Sequence, residues 1–391
     1  MTKTKEILKK NTMLIALVVI MLLFQVLISA AGKGSLFAPA NVTNLILQNS
    51  YVVILAVGML LCILTGGNID LSVGSVVALV GAIAGVMIVN HKMNVYLTII
   101  TCLLMGILIG AWQGFWIAYV RIPAFIVTLA GMMLWRGLAL IVLDGLTISP
   151  FPDEYLRYFS SFLPGSGAEK SLVFGVTLAV GAVLCAVYVV QQLAERNKKA
   201  RKNYELAPAG MLWGRLVLIC AVAMALSFLL GKNKGIPVVL ILLGVIVLVY
   251  SYYTQNTVPG RYLYAMGGNE KAAKLSGINT NRTLFFAYTN MGFLSAVAAL
   301  VCIARFNSAA PSAGTNYELD AIGACYIGGA SAYGGTGTIG GAVIGAIFMG
   351  VLNNGMSILG IDSNWQRAVK GLVLLAAVVF DVLSKKRSTK A

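Results

Sequence analysis

The sequence predicts an all-α polytopic membrane protein of ten to twelve transmembrane helices, some interrupted by glycine-rich breaks. Three observations carry that reading. Hydrophobic residues make up 59% of the 391 positions and charged residues 11%, against about 25% charged in soluble chains, and the mean hydropathy is +0.87. Apolar runs of about 18 to 24 residues recur along the whole chain, each long enough to cross a hydrocarbon core of roughly 30 Å. The charged residues gather between those runs, and the basic ones favour alternate intervals. No linker or soluble-looking block separates the runs, so residues 1–391 read as a single membrane domain.

The predicted spans follow in order. The first, 13–30, has a basic start and ends in Ser29-Ala30-Ala31, like a signal peptide, but the number of further spans makes it an uncleaved first helix. Next come 44–64, 71–90, 95–119 and 124–143, then 172–191, 213–231, 236–253 and 284–304. The last three are 318–333, which is short and rich in Gly, then 338–359 and 364–382. Twelve crossings place both termini on one side, and on that side lie 19 of the 29 basic residues, against seven in the opposite loops and three inside spans. The positive-inside rule makes that side the cytoplasm of a cell-membrane protein. The net charge of +16 is then accounted for by topogenesis and anionic lipid headgroups, with no nucleic-acid partner needed.

Several chemistries are excluded. The six cysteines (62, 102, 185, 220, 302 and 325) lie in apolar runs without CxxC pairing and read as small buried hydrophobes. The one histidine, His91, falls in an outer loop, so no histidine cluster exists to hold a metal. Asn41–Thr43 and Asn281–Thr283 fit the glycosylation pattern, a motif of low specificity. Nothing in the residues indicates an enzyme.

Two glycine-rich breaks stand out, at 65–74 and at 328–341 (GGASAYGGTGTIGG), and a span dense in small residues follows each. Small residues three or four apart let helix backbones approach closely, and paired interruptions of this kind point to a substrate path. The first break carries Asp70, and an acid at membrane depth is rare and usually functional. Asp70 or Ser72 is expected to cap the third span at an inner gate. The alternative is that the charge of Asp70 matters, through a cation such as Arg121 or on a second subunit. Asn353, Asn354 and Arg136 are further pathway candidates; Arg367 and Lys370, three apart, are expected to pair with Glu318 or Asp320.

TGGNIDLSVGS at 65–75 resembles the GG-IDLSVG signature of the permease subunits of bacterial ABC sugar importers of the ribose/xylose/galactose type. TLAGMMLWRGLA at 128–139 is similar to that family's segment ending in Arg-Gly, and GRYLYAMGGNEKAAKLSGINTNRT at 260–283 to its cytoplasmic GGN loop. APSAGTNYELDAIGACYIGGASAYGGTGTIGG at 310–341 and GVLNNGMSILGIDSNWQRAVKG at 350–371 complete the likeness, in the same order. Asn68, between the glycines and IDLSVG, is a departure, as are the extra spans over 172–235, which resemble the longer xylose or multiple-sugar branch.

The resemblance implies a transport subunit, with ATP and Mg bound by a separate ABC ATPase. It also implies a homodimer, and an extracytoplasmic solute-binding protein that delivers a monosaccharide. The sequence agrees in one respect, since it holds no GxxxxGK[ST] loop. The coupling loop to the ATPase is expected at 260–283, with Arg261, Gly267, Gly268, Asn269, Glu270, Lys274 and Gly277, and a short helix ended by Gly277. The outer segment 144–171, with its prolines and aromatics, is expected to receive the binding protein, or else to be an unstructured lid. An importer of another small solute, such as a furanose signalling molecule or a nucleoside, stays open, and so does an ion-coupled secondary transporter.

Overall fold

The computed structural model describes residues 12–165, 167–202, 204 and 208–388. The four basic residues before the first span lie outside that range, as do residues 203 and 205–207 of the basic loop 191–215. Among the described residues, ten helices are long and apolar enough to cross a membrane, and the chain is a multi-pass membrane protein. They are α1 (Thr12–Ala30), α2 (Pro39–Leu64), α3 (Val73–Gly85, continued by a π turn Val86–Asn90), α4 (Val95–Ala118) and α5 (Ala124–Leu143). After the short α6 (Asp153–Phe159) come α7 (Lys170–Arg201), α8 (Ala209–Gly231) and α9 (Val238–Asn256). Two small helices follow, α10 (Val258–Gly268) and α11 (Glu270–Leu275), then the long α12 (Thr280–Phe306). The chain ends with α13 (Tyr317–Ile327), α14 (Ile339–Ile358) and α15 (Ser363–Ser388). A two-residue ladder pairs β1 (Phe162–Leu163) with β2 (Ile236–Pro237).

Burial sorts these helices into a centre and a periphery. From Asn49 to Leu64 every residue of α2 is buried, as is most of α12 from Met291 to Ala304. A helix that is apolar all round belongs in the interior, and these two form the centre. The α12 helix packs on α4 through a GxxxGxxxG stripe. A Cβ built at Gly106 would lie 2.5 Å from the Gly292 carbonyl oxygen, and one at Gly110 would lie 2.5 Å from that of Tyr288. Backbones this close are how helices associate when lipid offers no hydrophobic drive. The extra hairpin, α7 with α8, packs largely on itself, Gly181 facing Ser227, and leaves most of its surface to lipid. Near the start of the chain, Phe24 of α1 fills the space over Gly355 of α14.

The predicted tenth span, 318–333, is corrected. The helix there, α13, has 11 residues, roughly 16 Å of rise at 1.5 Å per residue, too short to cross alone. Its pass is completed by an irregular segment, 307–316, that precedes it. Ala309 pairs with Ile148 beside Gly85, near one end of α3, while Gly314 lies against Gly74 at the other end. The chain therefore descends along α3 as turns before it becomes helical. Proline and glycine explain the break: Pro311 lacks a donor, and Gly314 and Asn316 take left-handed backbone angles.

The segment 144–171, expected on the outer side, is also not a free loop. Tyr155 is fully buried and donates to the Leu300 carbonyl at 2.7 Å, and Phe151 is buried beside it. Phe151 and Tyr155 anchor the segment to the bundle, while Tyr158 stays exposed.

The stripe on α4 makes a direct test. Because backbone, not a flexible side chain, faces Gly110, Gly110→Leu is expected to cost about 3 kcal/mol and lower the melting temperature in detergent. Gly175→Leu on α7, where nothing lies within 4 Å of the added Cβ, leaves the melting temperature unchanged.

Candidate functional site

The first break turns back into the bundle instead of ending at its edge. Asp70 N–H points to Met59 Sδ at 3.5 Å, and the Ile69 carbonyl accepts from Tyr288 Oη at 3.3 Å. Met59 and Tyr288 lie five and eight residues inside the ends of α2 and α12, so at 1.5 Å per residue Asp70 is raised roughly 7–12 Å into the bundle. Asp70 therefore stands inside the bundle, between α2 and α12.

Asp70 is buried at 3% exposure and its partners are neutral. Its Oδ1 accepts from the Ser72 amide at 2.8 Å and lies 2.7 Å from Ser72 Oγ. Gln113 of α4 turns its amide nitrogen to Asp70 Oδ2 at 3.1 Å and its oxygen to Ser72 Oγ at 2.6 Å and Trp135 Nε1 at 3.1 Å. In this orientation each group of the Gln113 amide finds a complementary partner. Ser72 stands at the N-cap of α3, but its side chain makes no capping bond; Asp70 closes an Asx turn onto the Ser72 amide just ahead of the helix and accepts from no amide of the first turn. Arg121 is not its counter-ion. Arg121 pairs with Glu270 at 2.6 Å and also donates to Thr280 and Asn281. Gln113 and Trp135 were missed by the sequence reading, although an amide in the apolar run WQG was a signal.

Around this cluster the two glycine breaks lock together. A Cβ at Gly67 would lie 2.1 Å from the Ala332 carbonyl oxygen, and one at Gly334 would lie 2.5 Å from the backbone of Gly66. The Gly335 amide donates to the Leu64 carbonyl at 3.1 Å, which caps the exposed end of α2. Gly267 sits on the same joint, where a Cβ would fall 1.9 Å from Leu64 O and 2.3 Å from Gly335 N. Tyr264 Oη donates to the Gly337 carbonyl at 3.0 Å. The GGN loop is therefore tied to both breaks.

Beyond Gly267 the loop is arranged as its residues dictate. Asn269 caps α11 by accepting from the Ala272 amide at 3.0 Å. Gly277, at φ +84°, ends it, with the Ile278 amide donating to the Ala273 carbonyl and the Gly277 amide to that of Lys274. Arg261, Lys274 and Glu270 are exposed, and Leu275 projects into the open at 91% exposure. Gly268, grouped with Gly267 in the sequence, faces open space.

The other candidates separate into two kinds. Asn354 exchanges amide hydrogen bonds with Asn41 at 2.9 and 3.0 Å, joining α14 to α2, and Asn353 is buried beside it. Lys370 pairs with the buried Asp320 at 3.0 Å, joining α15 to α13 as expected. Arg136 instead holds the irregular segment, its Nη1 donating to the Pro311 and Ala313 carbonyls at 3.2 and 2.5 Å. Arg136 also lines a cavity with Ser75, Asn316 and Glu318.

With this geometry in place, comparison with known proteins identifies the family. The family described as "Branched-chain amino acid transport system / permease component" matches residues 41–378. A xylose transport system permease protein of Escherichia coli K12 is 38% identical over 376 residues, covering 96% of this chain and 92% of the relative. Its counterpart in Haemophilus influenzae is 37% identical over 388 residues, 99% of this chain and 100% of the relative. A ribose import permease protein of Escherichia coli K12 is 35% identical over 378 residues, 97% and 95% of the two chains. No solved structure matches. The chain belongs to this permease family.

The neutral partners of Asp70 set an expected order of mutants. Asp70→Asn keeps an oxygen for the Ser72 amide and costs about 1 kcal/mol, whereas Asp70→Leu strands that amide and Gln113 and costs about 3 kcal/mol. Thermal melting of both purified variants checks the order. Equal losses would instead mark the negative charge as essential.

Proposed function

We propose that the chain is the membrane subunit of an ATP-driven importer of a monosaccharide, pentoses first among them. It works as a homodimer in the cell membrane, with both termini in the cytoplasm. A separate ATPase binds ATP and Mg and docks at α11. An extracytoplasmic binding protein delivers the sugar, and conduction is through the permease. The pentose assignment draws on the xylose and ribose relatives, which match the chain along nearly its whole length. The coupling assignment rests on one observation: the exposed α11 follows directly from α10, whose Gly267 and Tyr264 bear on both breaks. A push on α11 reaches the breaks through backbone, with no flexible side chain at Gly267 to absorb it.

The charges fit the same role. The Arg121–Glu270 pair is about two-fifths exposed on each side, and such pairs add only about 0–1 kcal/mol of stability. Its effect is to fix where α11 stands relative to the start of α12.

Reconstitution of the permease with its ATPase and binding protein tests the reading. Labelled D-xylose or D-ribose is expected to enter liposomes only with ATP, whereas branched-chain amino acids are not carried. Uptake by the permease alone, driven by an ion gradient, would overturn it. Gly267→Leu is expected to leave ATP hydrolysis running while uptake falls by about tenfold or more, and Gly268→Leu to stay near wild type. Glu270→Arg uncouples in part, and adding Arg121→Glu restores coupling.

A further inference from the structure

Two short helices begin inside the bundle, α3 after the break at 65–72 and α13 after the irregular segment 307–316. The first turn of α3 meets the irregular segment just before α13 where Gly74 and Gly314 touch: a Cβ on either would lie 2.0 Å or less from the other's carbonyl oxygen. Beside this contact is a cavity of about 490 Å³, bounded by Ser75, Met132, Arg136, Gly137, Asn316 and Glu318. That volume lies within the range of small-molecule sites, about 300–1,000 Å³.

The lining has chemistry that the fold leaves unused. Ser75 is buried at 1% exposure and its Oγ has no hydrogen-bond partner. Arg136 spends Nη1 on Pro311 and Ala313, and among the described residues Nη2 and Nε have no acceptor. The Glu318 carboxylate stands over Gly74, where a Cβ would come within 2.6 Å of its Oε2. Among the described residues, no ion pair joins Arg136 to Glu318 within 4.0 Å. Donors and an acceptor are thus kept apart in one half-open cavity beside Gly74, with Met132 and the exposed Met133 and Leu140 on the remaining side.

Each class of occupant fares differently there. An anion would meet Glu318 and a cation would meet Arg136. A lipid chain would leave three polar groups unsatisfied, which is costly away from water. A neutral molecule with hydroxyls at its edges and an apolar ring face satisfies all of them. We propose that this cavity is a low-affinity resting site for the monosaccharide in transit, an inference that rests on the importer reading above. Ser75 Oγ and the free Arg136 N–H groups donate to sugar oxygens, Glu318 accepts from sugar hydroxyls, and Met132 lies along the ring. Few polar groups hold the sugar, so it leaves readily, as a conduit requires.

Gly137 offers a clean test, because nothing lies within 4 Å of a Cβ added there. Gly137→Phe therefore has room for its first side-chain carbon and sets a ring at the cavity. Gly244→Phe on α9, also facing open space, is the control. In the reconstituted transporter, Gly137→Phe is expected to lower the maximal D-xylose and D-ribose uptake rate by about tenfold, with assembly and melting temperature unchanged. Gly244→Phe keeps the wild-type rate. Glu318→Gln lowers the maximal rate severalfold without moving the half-saturating sugar concentration, which the binding protein sets. If Gly137→Phe fails to fold, Gly137→Cys is used instead. Its labelling by a small methanethiosulfonate, followed by mass spectrometry of the peptide, is expected to slow with millimolar D-xylose and not with leucine. Wild-type uptake by a well-folded Gly137→Phe, or labelling of Gly137→Cys indifferent to sugar, would overturn the resting site. Absence of pentose uptake by the wild-type complex would overturn the importer reading instead.

Discussion

Backbone that leaves the helix inside a membrane must find partners within the protein, because lipid supplies none. This chain leaves the helix at depth at 65–72 and 307–316, and beside them lies the glycine-rich turn 328–338. The solution is to set one break against another. Gly335 donates to Leu64, Gly67 lies on Ala332, Gly334 lies on Gly66, and Gly74 lies on Gly314. At each of these contacts a side chain would collide with backbone, so glycine is required by close approach.

Once the breaks are locked together, the polar residues nearby fall into two groups. Some join helices: Asp70 to Gln113, Asn41 to Asn354, and Asp320 to Lys370. These pairs tie the first break to α4, α2 to α14, and α13 to α15. Others are left with capacity to spare, and Ser75, Arg136 and Glu318 line one cavity. Of these only Ser75 is fully buried; polar groups that make no hydrogen bond to each other are poorly placed as structural ties, and a ligand with hydroxyls can use what they offer.

The loop carrying α11 belongs to the same system. Gly267 and Tyr264 reach the joint between the breaks, while Leu275 and Glu270 stand at the surface. Glu270 and Leu275 are the two ends of α11, which is capped by Asn269 and stopped at Gly277. Close packing is confined to Gly267, and the adjacent Gly268 is free of contact.

Much of this was legible in one dimension. Hydrophobic runs longer than the bilayer is thick can only be spans, and TGGN and GGASAYGGTGTIGG can only interrupt them. Gly277 announced the end of a short helix because helix stops depend on neighbours a few residues away. The Lys370–Asp320 pair was foreseeable, since a charge within a span needs an opposite one. What depended on the tertiary structure was every relation between distant segments. Pro311, Gly314 and Asn316 marked a turn, but only packing along α3 made it half of a membrane pass. Asp70 drew attention by itself, yet its depth, its neutral partner Gln113 and the loss of Arg121 to Glu270 are set by how α2, α4 and α12 meet. Local chemistry is written in short stretches of chain; which polar groups face one another inside the membrane is decided by where glycine lets backbones touch.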